Sequence, residues 1–293
     1  MEVEKGMRVV KGYRDQKQLR ESFMELARKT FELDFSDWYE NGYWGENYIP
    51  YSIADHDKIV ANVSVNHMRF LMDGIEKNYI QLGTVMTEKD YRNQGLIRYL
   101  MEEVEKDYGK EMDGIYLFAN DTVLDFYPKF GFREEKESQY GRKVSIVGEK
   151  SVLLYPVKGE KERKVLERAV ETSVCQGRFS MNRNVSLVMF YLSKFMQENV
   201  YYLPRQNAYV VAEYQGDILF LYDVFADKRV DLDSVIEAFG KEVKRVELGF
   251  TPFPGSGYEK KIWKEEDTTL FVKGKGLAGF STWNMMFPLL SHA

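Results

Sequence analysis

The order of strands and helices readable in this sequence predicts an α/β fold: a mixed, mostly antiparallel sheet flanked by helices, followed by a second, smaller half on the same plan. Apolar residues recur at three- and four-residue spacing in some segments and alternate in others, so both helices and strands are needed. Over the first 150 residues the order is β-α-β-β-α-β-α, and a strand, strand, helix, strand succession returns in the second half. At roughly 150 residues per domain, the 293-residue chain should hold two, divided as 1–148 and 149–293.

A strand at residues 9–14 precedes a helix in which Leu19, Phe23, Leu26, Ala27 and Thr30 share a face, with Asp15 placed to cap it. Residues 35–55 read as a loop by their Gly, Asn and Pro content, although the segment is unusually aromatic. Strands at 59–72 and 78–87 flank Asp73-Gly74, a turn dipeptide. After a loop at 88–95, Ile97, Leu100, Met101 and Val104 mark an amphipathic helix. A strand at 114–120 leads to a helix over 122–132 that Gly131 should close. The charged stretches YGRKVSIVGEK and KGEKERK mark the boundary. Beyond it come helices at 160–172 and 185–198, strands at 208–215 and 217–226, a helix at 232–239 and a strand at 245–252.

Hydrophobic residues are 44% and charged residues 30%, ordinary globular proportions that exclude a disordered chain, a collagen or a coiled-coil rod. Nineteen Phe, 20 Tyr and 4 Trp need large cores or an apolar cleft to sit in. No stretch approaches the roughly 18 to 20 apolar residues of a bilayer span, and the start, MEVEKGMRVV, has no apolar signal core. A cytoplasmic protein with no membrane association is expected. One cysteine, Cys175, and three scattered histidines, His56, His67 and His292, offer no metal-ligand spacing, so no metal is expected. Residues 1–150 carry 22 basic against 28 acidic side chains and the remainder 19 against 18. Neither half has the basic balance of a nucleic-acid binder.

The informative stretch runs from Gly83 to Leu100. A strand ends, a short polar loop with Arg92-Asn93-Gln94-Gly95 turns, and an apolar helix begins with Leu96 and Ile97. That arrangement gathers backbone N–H groups at a helix N-terminus, with the positive end of the macrodipole behind them, and makes an anion site suited to a pyrophosphate. Gly95 would let the ligand approach the backbone. This loop has neither the P-loop pattern nor G-x-G-x-x-G, which disfavours ATP hydrolysis and NAD binding.

Here the sequence resembles the GCN5-related N-acetyltransferase (GNAT) superfamily, whose signature is Arg/Gln-x-x-Gly-x-Gly/Ala. The match is Arg92-Asn93-Gln94-Gly95-Leu96-Ile97, departing at Ile97, where the family usually has a small residue; Thr87 stands where proline is frequent. A second motif, Leu117-Phe118-Ala119-Asn120 followed by Val123, Phe126, Tyr127, Lys129, Phe130, Gly131 and Phe132, is similar to the family's late strand and helix. The resemblance extends over about residues 7–145.

The resemblance implies an acetyl-CoA site, acetyl-CoA being a cosubstrate. Val85, Met86 and Thr87 would offer backbone groups to the acetyl carbonyl and the pantetheine arm. Residues Arg92, Asn93, Gln94, Gly95, Leu96 and Ile97 would bind the pyrophosphate, Lys129 a cofactor phosphate, and Asn120 the cofactor arm. Tyr127 would protonate the departing thiolate and the N–H of Met86 would stabilise the oxyanion. The implied activity is N-acetylation of a primary amine of a small molecule or peptide, by direct transfer in a ternary complex. The competing reading is a non-catalytic acyl-CoA-binding or regulatory protein.

No general base is readable; His67, Glu46 and Asp55 are candidates, and in some tandem relatives a terminal carboxylate reaches the site, which would make Ala293 another. Trp38, Tyr43 and Trp44, with Tyr48 and Tyr51 nearby, are either core or walls of an acceptor pocket in which aromatic faces attract an ammonium. The second half lacks the Arg-x-x-Gly loop and reads as a degenerate GNAT-like unit supplying pocket walls. Cys175 reads as inert, the apolar C-terminal segment should dock on the core, and a homodimer is left open.

Overall fold

The computed structural model describes residues 6–255 and 257–292. Strand β1 (Met7–Lys11) leads to helix α1 (Lys17–Phe31), which buries Leu19, Phe23, Leu26 and Ala27 as the spacing predicts. Its N-cap is Gln16, without a side-chain cap; Asp15 pairs with Arg14 instead. The aromatic segment read as a loop holds a short helix, α2 (Ser36–Glu40), and a strand, β2 (Tyr48–Asp55). That strand is flanked by β1 and β3, and pairing on both edges overrides the local turn composition.

Strands β3 (Lys58–Met72) and β4 (Ile75–Thr87) form a hairpin across Asp73-Gly74, both at positive φ (50° and 81°), the conformation whose twist matches paired strands. Helix α3 (Leu96–Tyr108) and strand β5 (Gly114–Ala119) follow. The helix expected next is instead two 3-10 turns, Asp121–Val123 and Tyr127–Phe130. Pro128 lacks the N–H a helical ladder needs, and Gly131 closes the second turn in the left-handed conformation.

The remaining elements are β6 (Arg133–Glu134), β7 (Glu137–Lys143), β8 (Leu153–Leu154), α4 (Glu160–Thr172), β9 (Phe179–Met181), α5 (Val185–Lys194), β10 (Val200–Leu203), β11 (Ala208–Gln215), β12 (Ile218–Phe225), α6 (Leu232–Glu237), β13 (Arg245–Leu248), β14 (Glu259–Trp263) and β15 (Thr269–Lys273). They build two mixed sheets flanked by helices, the α/β architecture predicted. The first sheet runs β1-β2-β3-β4-β5-β15-β6, with β9 against the far end of β3; the second runs β14-β7-β13-β12-β11-β10-β8. Each sheet contains one parallel pair, β4 with β5 and β12 with β13.

Around residue 148 the chain runs irregularly from β7 to β8, but sheet membership crosses that point. The charged segment expected as boundary contributes β7 to the second sheet beside β13, and β15 returns to the first sheet beside β5.

The two faces of the first sheet bury different partners. Val63, Val65, Leu82 and Leu117 pack under α3 with Leu100 and Val104. The opposite face meets α1, α2 and the second half's α4 and α5 through Phe23, Trp38, Trp44, Leu166 and Leu192. Beside it the C-terminal segment docks as expected, Phe287 stacking on Tyr116 with ring centroids 4.0 Å apart. Among the described residues no helix is long and apolar enough to cross a membrane, and no group of three metal-ligating side chains could hold a metal.

Candidate active site

Strand β4 is irregular where the sequence motif begins. Ser64 stands opposite Gly83 and Asn62 opposite Met86, so Thr84 and Val85 bulge against β3. Thr84 has φ 42°, a strained conformation for a β-branched residue. Its backbone oxygen accepts from Asn62 Nδ2 at 2.8 Å, and its hydroxyl donates to Ser64 Oγ at 2.6 Å, so buried partners hold the strain in place. On the other edge β4 pairs with β5 only from Tyr79–Gly114 to Leu82–Leu117. Past Leu82 the two strands no longer pair, leaving a wedge between them lined by β4 backbone.

Which backbone groups face that wedge follows from alternation along the strand. Glu88 N donates to Val60 O at 2.8 Å, and in the same register Met86 lies opposite Asn62. The N–H of Met86 is therefore turned toward β3, which corrects its expected role as oxyanion donor. Thr87 and, across the bulge, Val85 present their backbone to the wedge. Val85 packs toward α3, whereas the Met86 side chain is buried on the opposite face.

The loop after β4 forms a cradle of backbone N–H groups. A 3-10 turn (Lys89–Tyr91) leads to Asn93 (φ 63°) and Gly95 (φ 78°), and α3 starts at Leu96. The first helical bond is from Tyr99 N to Gly95 O at 3.1 Å. Among the described residues the N–H groups of Asn93, Gln94, Gly95, Leu96, Ile97 and Arg98 donate to no protein acceptor. Arg92 Nε donates to Thr87 O at 3.3 Å and Gln94 Nε2 to Asp90 O at 3.2 Å, bracing the loop from both sides. Leu96 is buried and Ile97 half-buried in the apolar cluster beneath, so the bulkier Ile97 is accommodated inward, away from the cradle.

Tyr127 belongs to the same cluster as Val85, Leu96 and Ile97. Its ring lies 5.8 Å from Phe271 and 6.2 Å from Phe132, and among the described residues its hydroxyl has no hydrogen-bond partner. Burial pushes its pKa up to about 12, so it stays protonated. Asn120 is exposed, and its Nδ2 is already engaged by Asp267 Oδ2 at 2.9 Å, while Asp267 Oδ1 accepts from Asp121 N at 2.7 Å. Lys129 is exposed.

On the other face of the sheet a narrow cavity of about 50 Å³ opens at Thr84, walled by Phe35, Trp38, Tyr48 and Phe190. Trp38 stands edge-on to Tyr48 at 5.3 Å, and its Nε1 donates to Ser186 O at 2.9 Å. Trp44 packs behind it at 5.9 Å without lining the cavity; its own Nε1 donates to Tyr48 O at 3.2 Å. Tyr43 donates to Glu167 Oε1 of α4, and burial, then that carboxylate, raises its pKa. His67 lies at the cavity rim, but its ring packs against Tyr108 of α3 at 4.9 Å, on the opposite face, and burial lowers its pKa. Of the aromatic candidates named from the sequence, Trp38 and Tyr48 line the cavity, and Tyr43, Trp44 and Tyr51 do not.

Glu46 is exposed, and Asp55 accepts from Tyr91 at 2.7 Å; neither lines the cavity. Ala293 lies outside the described residues. Cys175 has its pKa raised, chiefly by burial, the state of an unreactive thiol. Sequence reasoning missed Phe35, Thr84, Asn66 and Phe190. A signal existed for one side of the cavity: Asn62, Ser64 and Asn66 sit at every second position of an otherwise apolar strand, so they share a face.

Residues 16–132 match the model of the acetyltransferase (GNAT) family. No curated protein matches the chain. Among solved structures, a conserved protein of unknown function from Enterococcus faecalis V583, a “probable N-acyltransferase”, is 14% identical with a TM-score of 0.60, over 94% of this chain and 74% of that one. GCN5-related N-acetyltransferases from Kribbella flavida (13% identity, TM-score 0.54, 91% and 71% covered) and from Anabaena variabilis ATCC 29413 (13%, 0.53, 91% and 72%) are also similar. At these identities the likeness speaks for the fold.

Proposed function

We propose that this chain, whose residues 16–132 form a domain of the GNAT acetyltransferase family, transfers an acetyl group from acetyl-CoA to a primary amine by direct attack in a ternary complex. The observation that carries this reading is the cradle of six free N–H groups at the start of α3, on the same face as Tyr127 and beside the wedge between β4 and β5. An aromatic cavity meets the same bulge from the other face. Donor and acceptor would thus approach one stretch of β4 from opposite sides.

The cradle would take the pyrophosphate, with Arg92 at its edge, and the backbone of Val85 and Thr87 would hold the pantetheine arm and the acetyl carbonyl. The amine nitrogen attacks the thioester carbon; a C–N bond forms, the C–S bond breaks, nitrogen loses a proton and sulfur gains one. Tyr127, kept protonated by burial, is placed to supply the proton to sulfur. The N–H of Val85 would face the charge developing on the carbonyl oxygen. The second half contributes Phe190 and Ser186 to the acceptor side and acts as a GNAT-like unit without a site of its own.

Isothermal titration should show one acetyl-CoA bound per chain in the micromolar range, and amines should then release free CoA thiol. No binding of acetyl-CoA would overturn the reading. That no Asp or Glu lines the cavity favours one alternative, an acyl-CoA-binding regulator, which would bind acetyl-CoA yet release no thiol with any amine.

A further inference from the structure

The cavity at Thr84 has a chemistry more specific than its aromatic walls. Thr84 Oγ1 donates to Ser64 Oγ at 2.6 Å, Ser64 Oγ donates to Tyr48 Oη at 2.8 Å, and Tyr48 closes the circuit to Thr84 Oγ1 at 2.7 Å. Ser64 also accepts from Asn62 Nδ2 at 2.9 Å; Asn62 Oδ1 accepts from Ser52, and Ser52 stands 2.6 Å from Tyr13. Each hydroxyl of the ring spends its one hydrogen inside the ring. What Tyr48 and Thr84 retain is acceptor capacity only, and both line the cavity.

Two strand positions beyond Ser64, on the same face of β3, stands Asn66. It is buried, lines the cavity, and its Nδ2 has no partner. A buried donor without an acceptor is costly and points to a ligand atom that supplies one. No Asp, Glu, Lys or Arg lines the cavity. One ammonium is compatible with the faces of Phe35, Trp38 and Phe190; a second cation there would be buried without a counter-charge. The volume is small, about 50 Å³, and its narrow shape suits a slender aliphatic chain.

We infer that this cavity is the acceptor subsite and that it selects a primary amine on a slender stem with no second charge and a hydroxyl or amide oxygen within reach of Asn66: an amino alcohol or amino amide. The inference rests on the acyl-transfer reading above. The amine donates to the Tyr48–Thr84 pair, beside the wedge, and the oxygen accepts from Asn66. Two residues along a strand are roughly 7 Å, so a stem of about four carbons spans the two contacts.

The test uses the full chain with saturating acetyl-CoA and compares kcat/KM by thiol release for 4-aminobutanol, butylamine and spermidine. Expected is a preference for 4-aminobutanol of about tenfold over butylamine, the scale of one buried hydrogen bond, and a larger one over spermidine. In Asn66→Leu the ratio of 4-aminobutanol to butylamine should collapse to about one; a general folding defect would leave that ratio unchanged. Spermidine as the best acceptor, or a ratio indifferent to Asn66→Leu, would overturn the inference. Binding is read independently of turnover by the tryptophan fluorescence change on adding 4-aminobutanol, which Trp38→Phe should abolish. If the amine binds there but no thiol is released, the acyl-transfer reading fails while the subsite stands; if thiol is released but the fluorescence change survives Trp38→Phe, the subsite fails alone.

Discussion

The two halves of the chain repeat one piece of geometry and finish it differently. In the first, β4 pairs with β5 in parallel over four residue pairs, Tyr79–Gly114 to Leu82–Leu117; in the second, β12 pairs with β13 over four, Ile218–Arg245 to Leu221–Leu248. Each antiparallel neighbour pairing then slips, at Thr84–Val85 in β4 and near Tyr222 in β12. Where the first half leaves an open wedge, the second is filled. Leu289 N donates to Gly249 O at 2.9 Å, just past the end of the parallel pairing, and a Cβ on Gly249 would meet Tyr222 Cα at 2.9 Å.

The helix starts differ in the same sense. Gly95 leaves the first turn of α3 without side-chain partners, whereas the Asp231 carboxylate accepts from Asp233 N and Ser234 N at the start of α6. The Ser234 hydroxyl is the main cause holding the Asp231 pKa below its ordinary value, so the cap is an internal anion. One topology thus yields either a helix start with free N–H groups or a closed structural unit, and the choice lies in whether the chain satisfies its own helix N-terminus.

The strongest way to break this contrast is Gly95→Val. A branched side chain at φ 78° strains the turn and would stand where a ligand approaches the N–H groups, so acetyl-CoA affinity should fall about 100-fold or more by titration, roughly 2.7 kcal/mol. Near-normal affinity would place the pyrophosphate elsewhere. Next in size, Tyr127→Phe should lower kcat by about 100-fold while sparing acetyl-CoA affinity. Because the hydroxyl pKa is about 12, the donor form persists below it, and the wild-type rate should show no alkaline fall due to this group up to about pH 10. A fall near pH 8 present in wild type and absent in the Phe variant would contradict the assignment. The smallest effect is expected in the second half: Asp231→Ala should cost about 1 kcal/mol of stability, read as a shift of about 2–4 °C in Tm. Acetyl-CoA stoichiometry should stay at one; a second equivalent would erase the distinction between the halves.

Much of the site was legible because local chemistry controls it. Asp73-Gly74 specified the β3–β4 hairpin, and Gly95 and Gly131 adopt the left-handed conformations that their places in the pattern require. The cradle follows from a polar loop running straight into an apolar helix. Other parts escaped because long-range pairing decides them. The aromatic segment before β3 has turn composition but becomes β2 once β1 and β3 flank it. The resemblance pointed to the Met86 N–H for the oxyanion, but the register turns that N–H toward β3. Tyr43 and Trp44 resembled Trp38 in sequence, yet they pack behind it.

By itself the sequence determined the α/β class, the strand-loop-helix that makes the anion cradle, and Tyr127 on the segment after β5. These depend on periodicity, turn residues and capping, which act over a few residues. Only the tertiary structure decided that β7 and β15 change sheets, that the second half's wedge is filled by the C-terminal segment, and that Thr84, Tyr48, Asn66 and Phe190 enclose one cavity. Those outcomes join residues as far apart in the chain as Ile115 and Lys273. They follow from burying faces against one another, a constraint that no local pattern encodes.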